Sequence, residues 1–310
     1  MTDRAAIDGG HRRSPAVAER VARPLSSSVS FAWRSAARFL TPLRVRAVRD
    51  GLSVLGLLAL AWALVFAPAD DVRAYWAVNA ADPYGGTVGS VGAFLYSPVV
   101  ALVALPIHLL PFEVVRVLLA VVDLACLVYL ARGWALALVA LPPVLGDIAA
   151  GNVHILLAVA IALGFRYPAT WSFVLLTKVT PGIGVLWFAV RREWRELAVA
   201  LGVTAALSAV SFLLVPSWWA DWIRVVASSG GVHVTAAVLT GAPLALRLVA
   251  AAAIVAWGAW TGRQWTVMLA AMLALPEVWV MGTCLLLGAL PGIRRRVAGS
   301  RATGGGVATG

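Results

Sequence analysis

The sequence predicts an all-α integral membrane protein: a polytopic bundle of about 8–10 transmembrane helices with a polar first external loop that carries the chemistry. Three observations predict it. The 310 residues are 61% hydrophobic with a mean hydropathy of +0.89. Only 13% are charged, against roughly a quarter in a soluble domain. Apolar runs long enough for a bilayer recur along most of the chain, and they lack the period-two alternation of a transmembrane barrel.

Residues 1–49 read as an Arg-rich cytoplasmic tail. The net charge is +11, and ten of the 25 basic residues fall here, from Arg4 to Arg49. Such a charge could suggest nucleic acid. Arginines ahead of a first span are better explained as fixing that end in the cytoplasm and touching anionic lipid. The charged region is too long for a secretory signal, and no small-residue cleavage site follows the apolar run. Phe31–Leu43 has the pattern of a short interfacial helix. Residues 50–292 form the transmembrane domain, and 293–310 a basic, then Gly-rich tail expected to be disordered.

Within that domain, Gly51–Ala67 is the first span, about 26 Å long, stopped by Pro68. The Asp70–Gly92 loop follows on the outer side. Phe94–Leu110 returns inward and Val114–Leu130 goes out. Trp134–Leu145 and Val153–Phe165 form a short pair broken at 146–152. Trp171–Val190 runs inward to Arg191-Arg192-Glu193-Trp194-Arg195, and Leu197–Val215 goes out to a second external loop, 216–241, with Trp218, Trp219 and Trp222. Pro243–Trp260 returns to Arg263; Trp265–Leu275 and Val278–Leu290 form a last hairpin ending at Arg294. This count puts the arginine clusters on one side without having been fitted to do so. Simple alternation also puts the 146–154 turn on the inner side, opposite the Asp70–Gly92 loop, unless one short segment is re-entrant. No internal repeat of the transporter kind is evident.

Five features stand out chemically. Asp70 and Asp71 sit just beyond the first span, and Asp71 shares a helical face with Tyr75 if the stretch is helical. The carboxylates could cap a helix, or one could be a general base. Asp82-Pro83-Tyr84-Gly85-Gly86 reads as a turn. Lys178, the sole lysine, lies inside an apolar run, where an ionisable group marks a functional site, a snorkelling side chain or a partner for a buried acid. Asp147 with Gly151-Asn152-Val153-His154 interrupts two short apolar segments, either as an interhelical turn or as irregular backbone lining a cavity. Tyr96-Ser97-Pro98 opens the second span, and Pro276-Glu277-Val278-Trp279 the last one. Cys126 and Cys284 form no motif, and His108 and His233 are isolated, so no zinc site is argued. There is no phosphate-binding glycine loop.

The order of these features resembles glycosyltransferase family 87, the polyprenol-phosphate-mannose-dependent membrane mannosyltransferases of the GT-C superfamily. Its pattern is matched by D-x-x-x-Y at Asp71–Tyr75, D-P-Y at Asp82–Tyr84, Y-x-P at Tyr96–Pro98, a G-Q-x-N-like turn at Gly151–His154, and K-x-x-P at Lys178–Pro181 before R-R-x-W at Arg191–Trp194. The match covers roughly residues 50–290. The turn here reads Gly-Asn-Val-His. Leu275-Pro276-Glu277-Val278-Trp279 stands where Ser-Pro-x-x-Trp and a later His are expected.

The resemblance implies a GT-C-like bundle and an inverting transfer of a hexose, with mannose as the sugar, from a polyprenyl-phosphate donor to a lipid or glycan acceptor on the outer face of a bacterial plasma membrane. It implies Asp71 (alternatively Asp70) as catalytic base; Lys178, Asn152 and His154 as donor-phosphate ligands; and Tyr75, Asp82, Tyr84, Tyr96 and Glu277 around sugar and acceptor. No cofactor beyond the donor lipid is called for, no metal site is argued, and metal assistance is open. Membrane lipids, not nucleic acid, are the partners. The alternative reading is a transporter or flippase of lipid-linked sugars, which gives the Asp71 loop no chemical duty; a non-catalytic scaffold is a third.

Overall fold

A computed structural model describes residues 41–86, 90, 92–229 and 240–295. The expected interfacial helix at 31–43, most of the N-terminal tail, His233 and the Gly-rich C-terminal tail lie largely or wholly outside these. The described residues are predominantly helical, with no β-strand among them. Four stretches are long and apolar enough to cross a membrane: Pro42–Phe66, Phe112–Val139, Trp194–Leu214 and Leu244–Thr261. A fifth counts if the bent pair Pro142–Ala150 and His154–Gly164 is one span. This is a polytopic all-α membrane protein.

By internal contacts the chain divides into Met1–Asp50 and Gly51–Gly310. In the first, the described part is the opening of helix α1 (Pro42–Phe66). Proline at its first turn has no N–H to leave unpaired, and half-buried Arg49 bonds exposed Asp50 (2.6 Å).

In the second, α1 ends before Pro68, and a seven-residue helix, α2 (Asp70–Trp76), follows. Pro98–Ala104 (α3) continues as a 3₁₀ turn, Leu105–Leu109. Both ends of this piece are held by adjacent residues of α2. Tyr96 Oη lies 2.8 Å from Tyr75 Oη, and Trp76 Nε1 donates to the Leu110 carbonyl at 2.8 Å. The expected second span therefore does not cross. It folds back beside α2, because twelve residues, part of them 3₁₀, reach only about 20 Å.

α4 (Phe112–Ala131) is the next true crossing. It starts against α2, where Val115 packs on Ala69 and Val72. Buried Arg116 donates to the carbonyls of Ala63 and Ala67 at the end of α1 (2.7 and 2.6 Å). The chain returns through α5 (Ala135–Val139) and α6 (Pro142–Ala150), bends by 102° at the 151–153 turn, and goes back as α7 (His154–Gly164).

The expected span Trp171–Val190 is a hairpin instead. α8 (Trp171–Thr177) goes up; a 3₁₀ segment, Thr180–Val185, and α9 (Leu186–Val190) come down. The pairing is antiparallel. A Cβ at Gly182 would strike Leu175, and one at Gly184 would strike Trp171, whose ring also stacks edge-on against Phe188 at 6.4 Å. Lys178 thus sits at an apex and not in the middle of a span. Thr180 and Pro181 turn the backbone there, since proline cannot continue α8.

The rest follows the expected order: α10 (Trp194–Leu214), an amphipathic α11 (Pro216–Ser229) in the second loop, α12 (Leu244–Thr261), α13 (Trp265–Leu273) and a 3₁₀ segment, Val280–Ala289. Buried Arg247 on α12 closes the break between the last two, donating to the carbonyls of Leu273, Leu275 and Pro276 at 2.9, 2.5 and 2.6 Å. α1, α4 and α10 keep many large apolar side chains exposed, as lipid-facing surfaces do.

The two departures cancel. Removing a crossing at 94–110 moves the 151–153 turn to the α2 end of the bundle. Adding one at 178–180 restores Arg191–Arg195 to the other end. The hairpin is checked by cysteine labelling in a Cys126→Ala/Cys284→Ala background. Val179, 51% exposed, should react as Val179→Cys with an impermeant maleimide from the same side as Asp82→Cys, and Arg192→Cys from the opposite side. A Val179→Cys chain that reacts from neither side would return Lys178 to mid-span.

Candidate active site

The α2 end gathers charges that lie far apart in sequence. α2 begins with Asp70 and Asp71, which suit a helix N-terminus. Asp71 is half-buried, and its Oδ2 accepts from Asn152 Nδ2 at 2.8 Å. Asn152 Oδ1 accepts from Lys178 Nζ at 3.3 Å and from the Val153 amide at 2.8 Å. Lys178 Nζ is also 3.0 Å from His154 Nε2. On its other side, His154 Nδ1 is 2.8 Å from Asp147 Oδ1, and Asp147 Oδ2 takes the Ile155 amide at 3.1 Å. The roles are fixed by the ammonium, which can only donate. His154 must then accept at Nε2, carry its proton on Nδ1 and donate it to Asp147.

One local feature makes this possible. Gly151 caps α6 with φ +72°, and a Cβ there would run into the Val72 side chain. Only glycine lets the turn sit flat on α2, which brings Asn152 to Asp71. Asp147, one turn before the cap, is fully buried and reaches forward to the start of α7.

Burial pushes the Asp71 carboxyl above the ordinary carboxylate value. Lys178 pulls it down, the Asp147 charge raises it, Asn152 lowers it and Asp70 raises it. The net effect is a carboxylate more basic than usual, next to a cation. Burial likewise raises the Tyr75 phenol, so it stays a protonated donor at neutral pH.

Of the residues singled out from sequence, Asp71, Asn152, His154 and Lys178 come together in one hydrogen-bonded chain. Of the two placings open for the 146–154 turn, the structure has the one beside the Asp71 loop and not the one that simple alternation gives. Tyr75 and Tyr96 meet beside it, and Tyr84 Oη donates to the Tyr96 carbonyl (2.9 Å). Asp82 is exposed and faces Gly85, away from the chain. Glu277 stands apart as well, accepting from Trp279 Nε1 at 2.9 Å and lying in the field of Arg247. Asp147 is central, whereas the sequence marked it only as part of an interruption. Arg116, Arg247 and Asp123, each a charge inside an apolar run, carried the same kind of signal. Among the described residues no three His, Cys, Asp or Glu side chains are grouped to hold a metal ion.

A family model for glycosyltransferase family 87 matches residues 94–287. The chain belongs to glycosyltransferase family 87. Comparison with curated proteins and with solved structures returns no match. The matched region holds Asp147, Asn152, His154 and Lys178 but begins after α2. The part played by Asp71 therefore rests on its contacts with that region.

Gly151→Ala should cost about 2–4 kcal/mol, combining left-handed strain with overpacking, read as a lower unfolding midpoint in detergent. Adding Val72→Ala should recover the packing share and leave the strain. An unchanged midpoint for Gly151→Ala would mean that the turn is not seated on α2.

Proposed function

We propose that this membrane glycosyltransferase moves a hexose, mannose by family resemblance, from a polyprenyl-phosphate donor to a lipid or glycan acceptor at the outer face of the bacterial plasma membrane, with the arginine-rich end cytoplasmic. The observation that carries the reading is the link from Asp71 through Asn152 to Lys178, which sets a carboxylate of raised basicity beside a fixed cation.

In this mechanism an acceptor hydroxyl approaches Asp71, with Asp70 as the alternative base. Its oxygen attacks the anomeric carbon as its proton passes to the carboxylate, and the bond from that carbon to the phosphate oxygen breaks. Attack opposite the leaving group inverts the anomeric centre. Polyprenyl phosphate departs as an anion, so no second acid is needed. The Lys178 ammonium, held by Asn152 and His154, faces the charge that grows on the phosphate, a preorganised electrostatic contribution. Asp147 holds the His154 proton on Nδ1 and so leaves Nε2 as an acceptor on one side of the ammonium, which is free to turn a proton to the phosphate. Tyr75, Tyr84 and Tyr96, buried beside this chain, are assigned to back the sugar, and Asp82 and Glu277 to meet the acceptor. The donor lipid is the one small molecule the mechanism requires.

Protein in nanodiscs given radiolabelled polyprenyl-phosphate-mannose and a crude membrane-lipid acceptor pool should release label from the donor. Asp71→Asn should cut turnover by about 10²–10⁴ while donor binding persists. Label that stays on the donor but crosses the bilayer, equally in both proteins, would favour a flippase.

The pH profile gives a separate check. A base must be ionised, so activity should rise with pH through an acid limb set by Asp71, above the ordinary carboxylate range. Lys178 and Asn152 both lower that carboxyl, so Asn152→Ala should move the limb to higher pH as well as reduce the rate. A limb that does not move would assign the base to another group.

A further inference from the structure

At the opposite end of the bundle a cavity of about 620 Å³ opens between α4, α7, α13 and the C-terminal segment. It is as large as many small-molecule sites. α4 runs about 26 Å from its start at α2 to Tyr129 on the cavity rim, so the transfer chemistry makes no use of this space. The walls are of two kinds. Leu163 and Met268 give an apolar side, and Arg166, Arg295 and Gln264 a polar one. Tyr129, Tyr167 and Trp265 stand at the rim, each 40–50% exposed, as aromatic residues do at a membrane interface.

The charge here is one-sided. Arg132 and Arg295 both repel Arg294, whose guanidinium is used up on the carbonyls of Leu130 and Tyr129 at the end of α4. Arg166 lies over the Tyr167 ring at 5.2 Å. Among the described residues, none of Arg132, Arg166, Arg294 and Arg295 has an acidic partner in an ion pair. Like charges gathered at the mouth of a half-apolar cavity leave an anion with an apolar tail as the complementary ligand.

We propose that this cavity binds a glycerophospholipid of net negative headgroup, its phosphate between Arg166 and Arg295 and the upper part of a tail along Leu163 and Met268. The site is separate from the donor site and independent of the transfer reading. It lies on the face where arginines accumulate, which is the face where anionic lipid is recruited by charge.

The test is lipid retention by native mass spectrometry, with full-length protein exchanged into mixed micelles of equal phosphatidylglycerol and phosphatidylcholine. One phosphatidylglycerol per chain should be retained in preference. Arg166→Ala/Arg295→Ala should weaken that retention by roughly tenfold to thirtyfold. Both side chains are exposed, so the fold should hold. Gly292→Leu supplies a second variant. Gly292 lines the cavity and a Cβ there meets nothing within 4 Å, so leucine adds bulk to the wall without a clash at its Cβ and should also weaken lipid retention. Equal retention of both lipids, or retention unchanged in both variants, would overturn the proposal. Displacement by micromolar inorganic phosphate would assign the site to a soluble phosphate and overturn the lipid part.

Discussion

The fit of one turn against one short helix is the contact on which the rest depends. With Gly151 seated on Val72, Asn152 can reach Asp71, and Lys178 and His154 close in behind it. Without that seating, a carboxylate, an ammonium and a second carboxylate would be left poorly solvated and unpaired. Charges of that kind are tolerated when each has its hydrogen bonds, and removing one partner costs far more than the pair contributes. The chain from Asp71 to the Ile155 amide leaves few loose ends. The acceptor capacity of Asn152 and His154 is spent on the ammonium, and that of Asp147 on His154 and a backbone N–H.

The helices around this site are short and broken, and the breaks are sealed by arginine. Arg116 takes the last carbonyls of α1, Arg247 those after α13, and Arg294 those of α4. Each guanidinium donates to carbonyls at a helix end in an apolar setting, where such acceptors run short of backbone partners. A hydrogen bond from a charged donor is worth about 1.5–3 kcal/mol. These side chains thus allow half-length segments where a regular bundle would use full spans. Small residues do the complementary work: Gly164 and Gly184 make room for the Trp171 ring, so the α8–α9 hairpin packs closely on its neighbours.

Much of this was legible in the sequence. Hydropathy alone predicted an all-helical membrane protein, and the motif order predicted the family. Lys178, Asn152 and His154 stand out because polar groups are costly in apolar surroundings, and Asp71 because a carboxylate pair follows directly on the first span. The topology around them was not legible, because hydropathy measures length and cannot tell a crossing from a piece that turns back. The run at 94–110 is apolar enough to span, yet Tyr75 and Trp76 pin both its ends to α2. The run at 171–190 is long enough for one span, yet Thr180 and Pro181 turn it back and the glycines at 182 and 184 let its two arms pack together. Positive-inside counting could not expose either error, since one lost crossing and one gained crossing leave the arginines where they were. Asp147 and Arg247 were under-read for a related reason: a lone charge in an apolar run announces that it has a partner, and the partner is known only from the fold.

The bundle is polarised by this arrangement. Acidic groups (Asp70, Asp71, Asp82, Asp221 and Glu277) lie in or next to the loops at one end, and Arg132, Arg166, Arg191, Arg192, Arg195, Arg263, Arg294 and Arg295 at the other. The only lysine joins Arg73 and Arg224 at the acidic end, carried there on the tip of a hairpin. That placement gives the site its chemistry. Positive charge that orients a membrane protein must stay with the anionic leaflet, whereas positive charge that stabilises a leaving phosphate must stand where the reaction occurs. A hairpin rooted in the arginine end and tipped with Lys178 meets both requirements. Asn152, His154 and Asp147 then hold the ammonium in place, and a single glycine-lined seat brings the base to it.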